Sequence, residues 1–484
     1  MSARVEQRRV SFAWSALGAP LGRAERDGVR RSLRALLEWQ RTLARWPRIS
    51  PAPEATPFVS LHRRGKLQGC VGSDEGGGSE RLARAFLHAL ADPRFGGTHG
   101  EGRRELAAQV SYVRDVARAA SVGDACERIE AGTHGVALVR DGRAPAILIP
   151  SVAREGGLAA RALLATLAQK ANASLEQLDE GEIFLFEADE IAAHPDARED
   201  RPSSRPSVAL AAEWLSRLVR ADGYVHFGVD PRARSVAEVG LMHHGRAAVV
   251  VRALAEAGRT HAADVERARR WLATDVQRAL RGESVPGWPD ERDRVCGTIA
   301  LACLAGVPLE PELAGFLGDD PLEKSPWHAA QVVAALGPAA PAALWRTCVV
   351  ALDREPWAPW TALAAHARGD RTTLVRAARE LERSIRATGP HEGGVGRTDV
   401  PEIALTAISV EALAPLLPAS PSTRAAVARA RRFLERWQYR PGRVSAALDP
   451  AFAEGSFPLS PIAPFSRGDV TAHALLALRA SRPA

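Results

Sequence analysis

Apolar positions divide the chain into two unlike halves. Up to about residue 195, candidate helices alternate with short β-branched or apolar runs at Pro57-Phe-Val-Ser-Leu-His62, Leu106 to Val116, Gly135-Val-Ala-Leu-Val139, Ala146-Ile-Leu-Ile149 and Ile183-Phe-Leu-Phe186. This alternation predicts a mixed α/β or α+β domain over residues 1–195. Its first helix is predicted over Asp27 to Arg45, where Val29, Leu33, Leu36, Leu37 and Leu43 follow a helical period suited to packing on a sheet. Between Ala193 and Val208 the chain is rich in Pro, Ser and charge and has no apolar period, which predicts a linker over 196–207.

Over 208–484 the strand signal fades and Ala/Leu/Val-rich helices recur. Arg397-Thr-Asp399-Val and Arg467-Gly-Asp469-Val each introduce an apolar helix, with weaker counterparts near Glu238, Asp293, Ser325 and Pro356. These six helices alternate with amphipathic ones such as Ala262 to Arg281, Ala342 to Asp353, Thr372 to Thr388 and Ser422 to Gln438. Stacked as helical hairpins they bury one continuous core. Closed on themselves the hairpins form an (α/α)6 toroid, and left open they form a solenoid; a count near six favours the toroid. The pattern resembles the toroids of six-hairpin glycosidases and of the terpenoid cyclase and prenyltransferase group.

Composition narrows the function classes. With 484 residues, 46% hydrophobic and 25% charged, the chain is that of a folded globular protein rather than a disordered or fibrous one. There is no run of 18 uninterrupted apolar residues and no signal-peptide core near Met1, so a cytoplasmic protein with no membrane contact is expected. The five cysteines form no CxxC pair and predict reduced thiols, with no metal site or cofactor. The net charge of +7 is spread thinly: 28 basic and 27 acidic residues up to residue 200, 36 and 30 beyond it. No tract of basic and aromatic residues marks a strand-binding groove, which argues against nucleic acid.

Two regions carry candidate chemistry. In Leu61-His-Arg-Arg-Gly-Lys-Leu-Gln-Gly-Cys-Val-Gly72, glycines flank Cys70 and leave room for close approach of backbone or ligand. A thiol reacts as thiolate, helped by a nearby imidazole or helix N-terminus. His134 in Gly132-Thr-His-Gly135 is the candidate partner. The plainer alternatives are a small buried hydrophobe for Cys70 and a turn residue for His134. The glycine-rich segment Ser73 to Glu80 lacks a P-loop Lys-Ser/Thr and reads as a flexible loop.

In a toroid, inner-helix N-termini converge on one mouth. The candidates there are Glu238, His243, His244, Asp293, Trp327, His328, Trp357, Trp360, Asp399, Asp469 and His473. Asp399 and Asp469 would serve a glycosidase as opposed carboxylates, with tryptophans stacking on sugar. Their matching repeat positions favour helix N-caps instead. His473, four residues after Asp469 on one helical face, suits a mutual hydrogen bond as well as a metal pair.

Phe58-Val-Ser-Leu-His62, Leu67-Gln-Gly-Cys-Val-Gly72, Ala91-Asp-Pro-Arg-Phe95, Gln109-Val-Ser111, Gly132-Thr-His-Gly135, Ile149-Pro-Ser-Val152 and Gln169-Lys-Ala171 together resemble the ordered motifs of the AMMECR-type domain. The match spans roughly residues 10–195. Where the family pattern L-R-G-C-I-G has arginine, this chain has Gln68, which puts an anion contact there in doubt. The resemblance implies an α+β domain whose L-x-G-C-x-G segment lines a cleft, without an established reaction. It carries over Cys70 and His134 as catalytic candidates, with Gln68, Gly69, Gly72 and Arg94 beside substrate; a turn salt bridge between Asp92 and Arg94 is the competing reading. Members are often encoded or fused beside Memo-type and radical SAM proteins, which implies partnership in a modification pathway. This chain lacks the CxxxCxxC cluster signature. The function expected is thus a thiol-dependent enzyme or an accessory protein of such a pathway, its helical half recognising a small molecule, peptide or carbohydrate. The alternatives are a non-catalytic binding or scaffold protein and a carbohydrate-active toroid.

Overall fold

Val29, Leu33, Leu36 and Leu37 line one face of the first helix, α1 (Arg23–Thr42), and all four are buried against a sheet. The computed structural model describes residues 20–481, except 43–46, 48, 96–104, 141–142, 195–204, 318–321, 323–324, 355–358, 390, 397, 418–419 and 442. After α1 come β1 (Pro57–Arg63), β2 (Lys66–Gly72), α2 (Gly78–Leu90), β3 (Leu106–Ala119), α3 (Val122–Arg128), β4 (Gly135–Arg140), β5 (Arg143–Leu148), α4 (Pro150–Gly156), α5 (Ala160–Lys170) and β6 (Glu182–Ala193). The strands form one antiparallel sheet in the order β2-β1-β3-β6-β4-β5.

Alternation along the strands sorts the core. Val59, Leu61 and Val110 face α1 and α2 through Leu33, Leu82 and Phe86. Phe58, Val113 and Phe186 form a separate cluster with Ala137 and Ile149, and Cys70 packs at its margin. A third cluster seats α3 and α5 on β4 and β5. Each large apolar side chain so buried contributes ~1.5–3 kcal/mol.

From Ser207 the chain is helical, apart from a small antiparallel sheet. Its elements are α6 (Ser207–Leu218), β7 (Gly228–Asp230), β8 (Ser235–Ala237), α7 (His243–Ala257), α8 (Ala262–Leu280), α9 (Arg292–Leu304), α10 (Glu310–Leu317), α11 (Pro326–Leu336), α12 (Ala342–Arg354), α13 (Pro359–Arg368), α14 (Arg371–Ser384), α15 (Ile403–Leu413), α16 (Pro421–Trp437), α17 (Pro450–Ala453), β9 (Ser466–Arg467) and α18 (Gly468–Ala480). Helices α7, α9, α11, α13, α15 and α18 each pack on the next, and α18 returns to α7, so six inner helices close a ring. Outside it, α8, α10, α12, α14 and α16 each lie on the inner helix before them, and α6 covers α18 and α7. This closure makes the half an (α/α)6 toroid and removes the open solenoid.

The side chains explain which helices go inside. Every residue of α18 from Gly468 to Leu478 is buried, as an inner helix with neighbours on all sides requires. In α14 burial is confined to Thr373, Leu374, Ala377, Ala378 and Leu381, the single face of an outer helix. The 196–207 linker expectation falls mostly outside the described residues. No described helix is long and apolar enough to cross a membrane.

The halves meet through polar contacts. Arg232 donates to the Glu155 carbonyl at 2.6 Å, the Ala446 amide to Gln109 Oε1 at 3.2 Å, and His194 Nε2 lies 3.2 Å from the Val444 carbonyl. Gly132 has φ +83°, and a Cβ there would stand 2.8 Å from the Pro461 carbonyl oxygen. That motif glycine lets the two backbones approach.

Candidate functional site

The strand β2 holds Cys70 at the sheet edge, against α2. At Gly69 a Cβ would lie 1.9 Å from the Ala89 carbonyl oxygen, and at Gly72 it would lie 2.8 Å from the Phe58 ring. These glycines therefore serve packing, and no substrate role is needed to explain them. Gln68 turns back on its own strand, donating to the carbonyls of Lys66 and Leu67 at 3.3 and 3.1 Å.

Cys70 is half-buried. Ser60 Oγ, opposite it in the β1–β2 register, donates to its Sγ at 3.2 Å. Its amide donates to Asp92 Oδ2 at 3.1 Å, and its carbonyl accepts from Arg94 Nη2 at 2.6 Å. Arg94 also grips Asp92 through Nε and Nη2, at 2.9 and 2.6 Å. Burial alone would raise the Asp92 carboxyl. The Arg94 guanidinium and the amides of Cys70 and Arg94 outweigh it and hold the group below the usual carboxylate range. Arg94 thus forms the turn salt bridge with Asp92 and braces the Cys70 backbone.

The cation beside Cys70 that sequence reading passed over is Lys170, at the end of α5. Its Nζ donates to the Ile147 carbonyl at 2.7 Å. The residue keeps an exposed flank, yet protein crowds its ammonium, and that desolvation lowers its pKa against the opposing pull of Cys70 and Asp92. One signal was available: the chain has only three lysines among 64 basic residues, and one stands here.

His134 is not brought to Cys70. It sits just before β4, and Cys70 is not among the groups whose charge acts on it. Its Nδ1 accepts the Glu130 amide at 3.1 Å, burial lowers its pKa, and its charged neighbours are Glu187, Arg128 and Arg436. The imidazole is committed to its own turn, which corrects the expected Cys70–His134 pair. Cys296, Cys303 and Cys348 are buried in the toroid, where desolvation pushes their thiols up to about 11, 12 and 12.

The toroid mouth encloses a cavity of about 300 Å³, whose lining includes Trp327, Gln331, Trp360, Glu402, Asp469 and His473. Trp360 stands edge-on to Trp327 and to His473, with centroids 6.4 and 6.0 Å apart. Asp469 makes no N-cap; Arg467 holds it through Nε and, at 2.9 Å, Nη2, with Arg246 3.8 Å away. His473 bonds Glu411 rather than Asp469, at 2.7 Å. Asp399 lies on an exposed bend before α15 and does not line the cavity, so the pair Asp399–Asp469 does not face across it. His243 and His244 are buried among Tyr224, Trp271 and Trp288, with His244 Nε2 3.2 Å from Asp275. Trp357 lies outside the described residues. Among those residues, no three His, Cys, Asp or Glu side chains gather to hold a metal ion.

Comparison with known proteins yields a family model, AMMECR1, matching residues 21–191. No curated protein matches the chain. Among solved structures, an uncharacterised protein from Pyrococcus horikoshii is 23% identical over 35% of this chain and 92% of its own, with a TM-score of 0.31. A type II terpene cyclase from Scytonema is 16% identical over 57% of this chain and 95% of its own, TM-score 0.38. A glycosidase with bound glucose is 14% identical over 57% and 96%, TM-score 0.34. The family match takes in the segments that form the six-stranded sheet and its helices, including Leu67 to Gly72 and Gly132 to Gly135, and residues 21–191 are an AMMECR1 domain.

Proposed function

We propose that the protein is a thiol-dependent enzyme whose reactive atom is the Cys70 sulfur, with Lys170, in place of His134, as the charged group beside it. The observation that carries this reading is the convergence of four separate segments, bearing Ser60, Cys70, Asp92–Arg94 and Lys170, at one half-exposed thiol. Asp92 is already neutralised by Arg94, so an anionic sulfur there would be favoured by the charge of the Lys170 ammonium. In such chemistry the sulfur forms a bond to an electrophilic carbon of the substrate, and the leaving group departs with its electron pair. The toroid mouth, with Trp327 and Trp360 over a 300 Å³ cavity, supplies a second surface for recognition.

Alkylation of the native full-length protein with iodoacetamide tests the reading. Cys126, the other half-buried thiol, is the internal standard, and buried Cys296, Cys303 and Cys348 set the floor. Cys70 should label roughly tenfold faster than Cys126, and Lys170→Gln should remove most of that advantage without changing Cys126. Labelling of Cys70 no faster than Cys126 would leave a binding or scaffold protein as the better account, one in which the mouth cavity holds a ligand without turnover.

A further inference from the structure

Between the AMMECR1 domain and the toroid lies a cleft of about 530 Å³, distinct from both sites above and within the size range of small-molecule sites. Six arginines and four carboxylates line it. Arg26, Arg114 and Arg154 are matched by Asp189, Glu187 and Glu190. Arg443 is not matched: the charged groups acting on it are Arg440, Arg26 and Arg30, all of its own sign, and no carboxylate pairs with it among the described residues. Arg436 and Arg443 are open to the cleft but crowded by protein, and the lost hydration lowers the pKa of both.

The same walls carry hydrogen-bonding groups with no protein partner. Thr133 Oγ1 is one, on a side chain only 6% exposed, and Gln438 Oε1 is another, at 3%. The Trp437 Nε1 is a third. A buried polar group without a partner is costly and calls for an occupant. An unmatched, partly desolvated guanidinium calls for one that is negative.

We propose that this cleft binds a small organic oxyanion, its carboxylate or phosphate held by Arg443 and Arg436 and its polar body reaching Thr133 and Gln438. The hydroxyl and the indole N–H donate to the ligand, and the Gln438 carbonyl accepts from it. Because the two halves supply opposite walls, occupancy ties the AMMECR1 domain to the toroid. The inference is independent of any reactivity at Cys70.

Titration calorimetry of the full chain at low ionic strength, with pyrophosphate and separately with citrate, provides the test. Saturable one-to-one binding of either probe is expected. Binding of pyrophosphate alone assigns a phosphate-bearing ligand, citrate alone a carboxylate, and both a site that reads charge. Arg443→Ala should weaken binding about tenfold, with Arg443→Lys intermediate because it keeps charge but loses the planar fork. The Arg443 side chain makes no hydrogen bond among the described residues, so both variants should unfold at the wild-type temperature. Thr133→Val should weaken binding severalfold, whereas Arg278→Ala, at a half-exposed arginine of α8 outside the cleft, should leave it unchanged. Absence of saturable binding to both probes, unaltered affinity in Arg443→Ala, or an equal loss in Arg278→Ala would overturn the proposal.

Discussion

Replacing Gly69 by alanine would drive a methyl group into the Ala89 carbonyl, a backbone atom that no rotamer change can move. Strand β2 and helix α2 must then part. Gly69→Ala should cost about 2–4 kcal/mol in denaturant unfolding, whereas alanine at Gly315, inside α10 with nothing within 4 Å and no positive φ, should not destabilise. The glycines that made Cys70 conspicuous in the sequence thus answer to packing. What the sequence did not disclose is the partner. Lys170 lies a hundred positions beyond Cys70 and reaches it only because α5 lies against β5, with its ammonium on the Ile147 carbonyl. His134 had the more reactive side chain, but its ring nitrogen is committed to the Glu130 amide in its own turn.

The alternation of helices that are apolar all round with helices apolar on one face was legible before any coordinates, because burial on every side and on one side leave different patterns. The ends of these helices were harder to read. Asp399 and Asp469, repeated before apolar helices, looked like caps, yet the arginine two residues before Asp469 claims its carboxylate instead of the helix amides. A true cap stands at α14, where Asp370 accepts from the Thr373 amide and hydroxyl, both at 2.9 Å. The Thr373 amide, against a smaller opposing effect of burial, holds the Asp370 carboxyl below its ordinary value. Its contribution is therefore present above pH 3.8 and lost as pH falls below it. Asp370→Ala should destabilise by about 1 kcal/mol at pH 7, and Asp370→Asn by less, in thermal unfolding.

The halves also meet where Glu130 faces the fully buried His391, 3.6 Å apart. Burial raises Glu130 from 4.5 to about 7 and lowers His391 from 6.5 to about 3, so between these limits both are neutral and the contact is no ion pair. Stability from Glu130 is full below pH 4.5 and lost as pH rises through 7; that from His391 is full above 6.5 and lost as pH falls toward 3. Glu130→Gln should therefore raise the unfolding temperature at pH 8, by an amount equivalent to at most ~3 kcal/mol, with no gain at pH 4. A rise of equal size at both pH values would show that the effect is not ionisation.

The seating of α6 on α18 bears on biosynthesis. These helices begin more than 250 positions apart, so a nascent chain emerging from the ribosome displays α6 and α7 long before the segment that covers them exists. Until translation reaches Ala480, the first hairpin of the ring must wait with its flank open to solvent, a period in which chaperones have their best access.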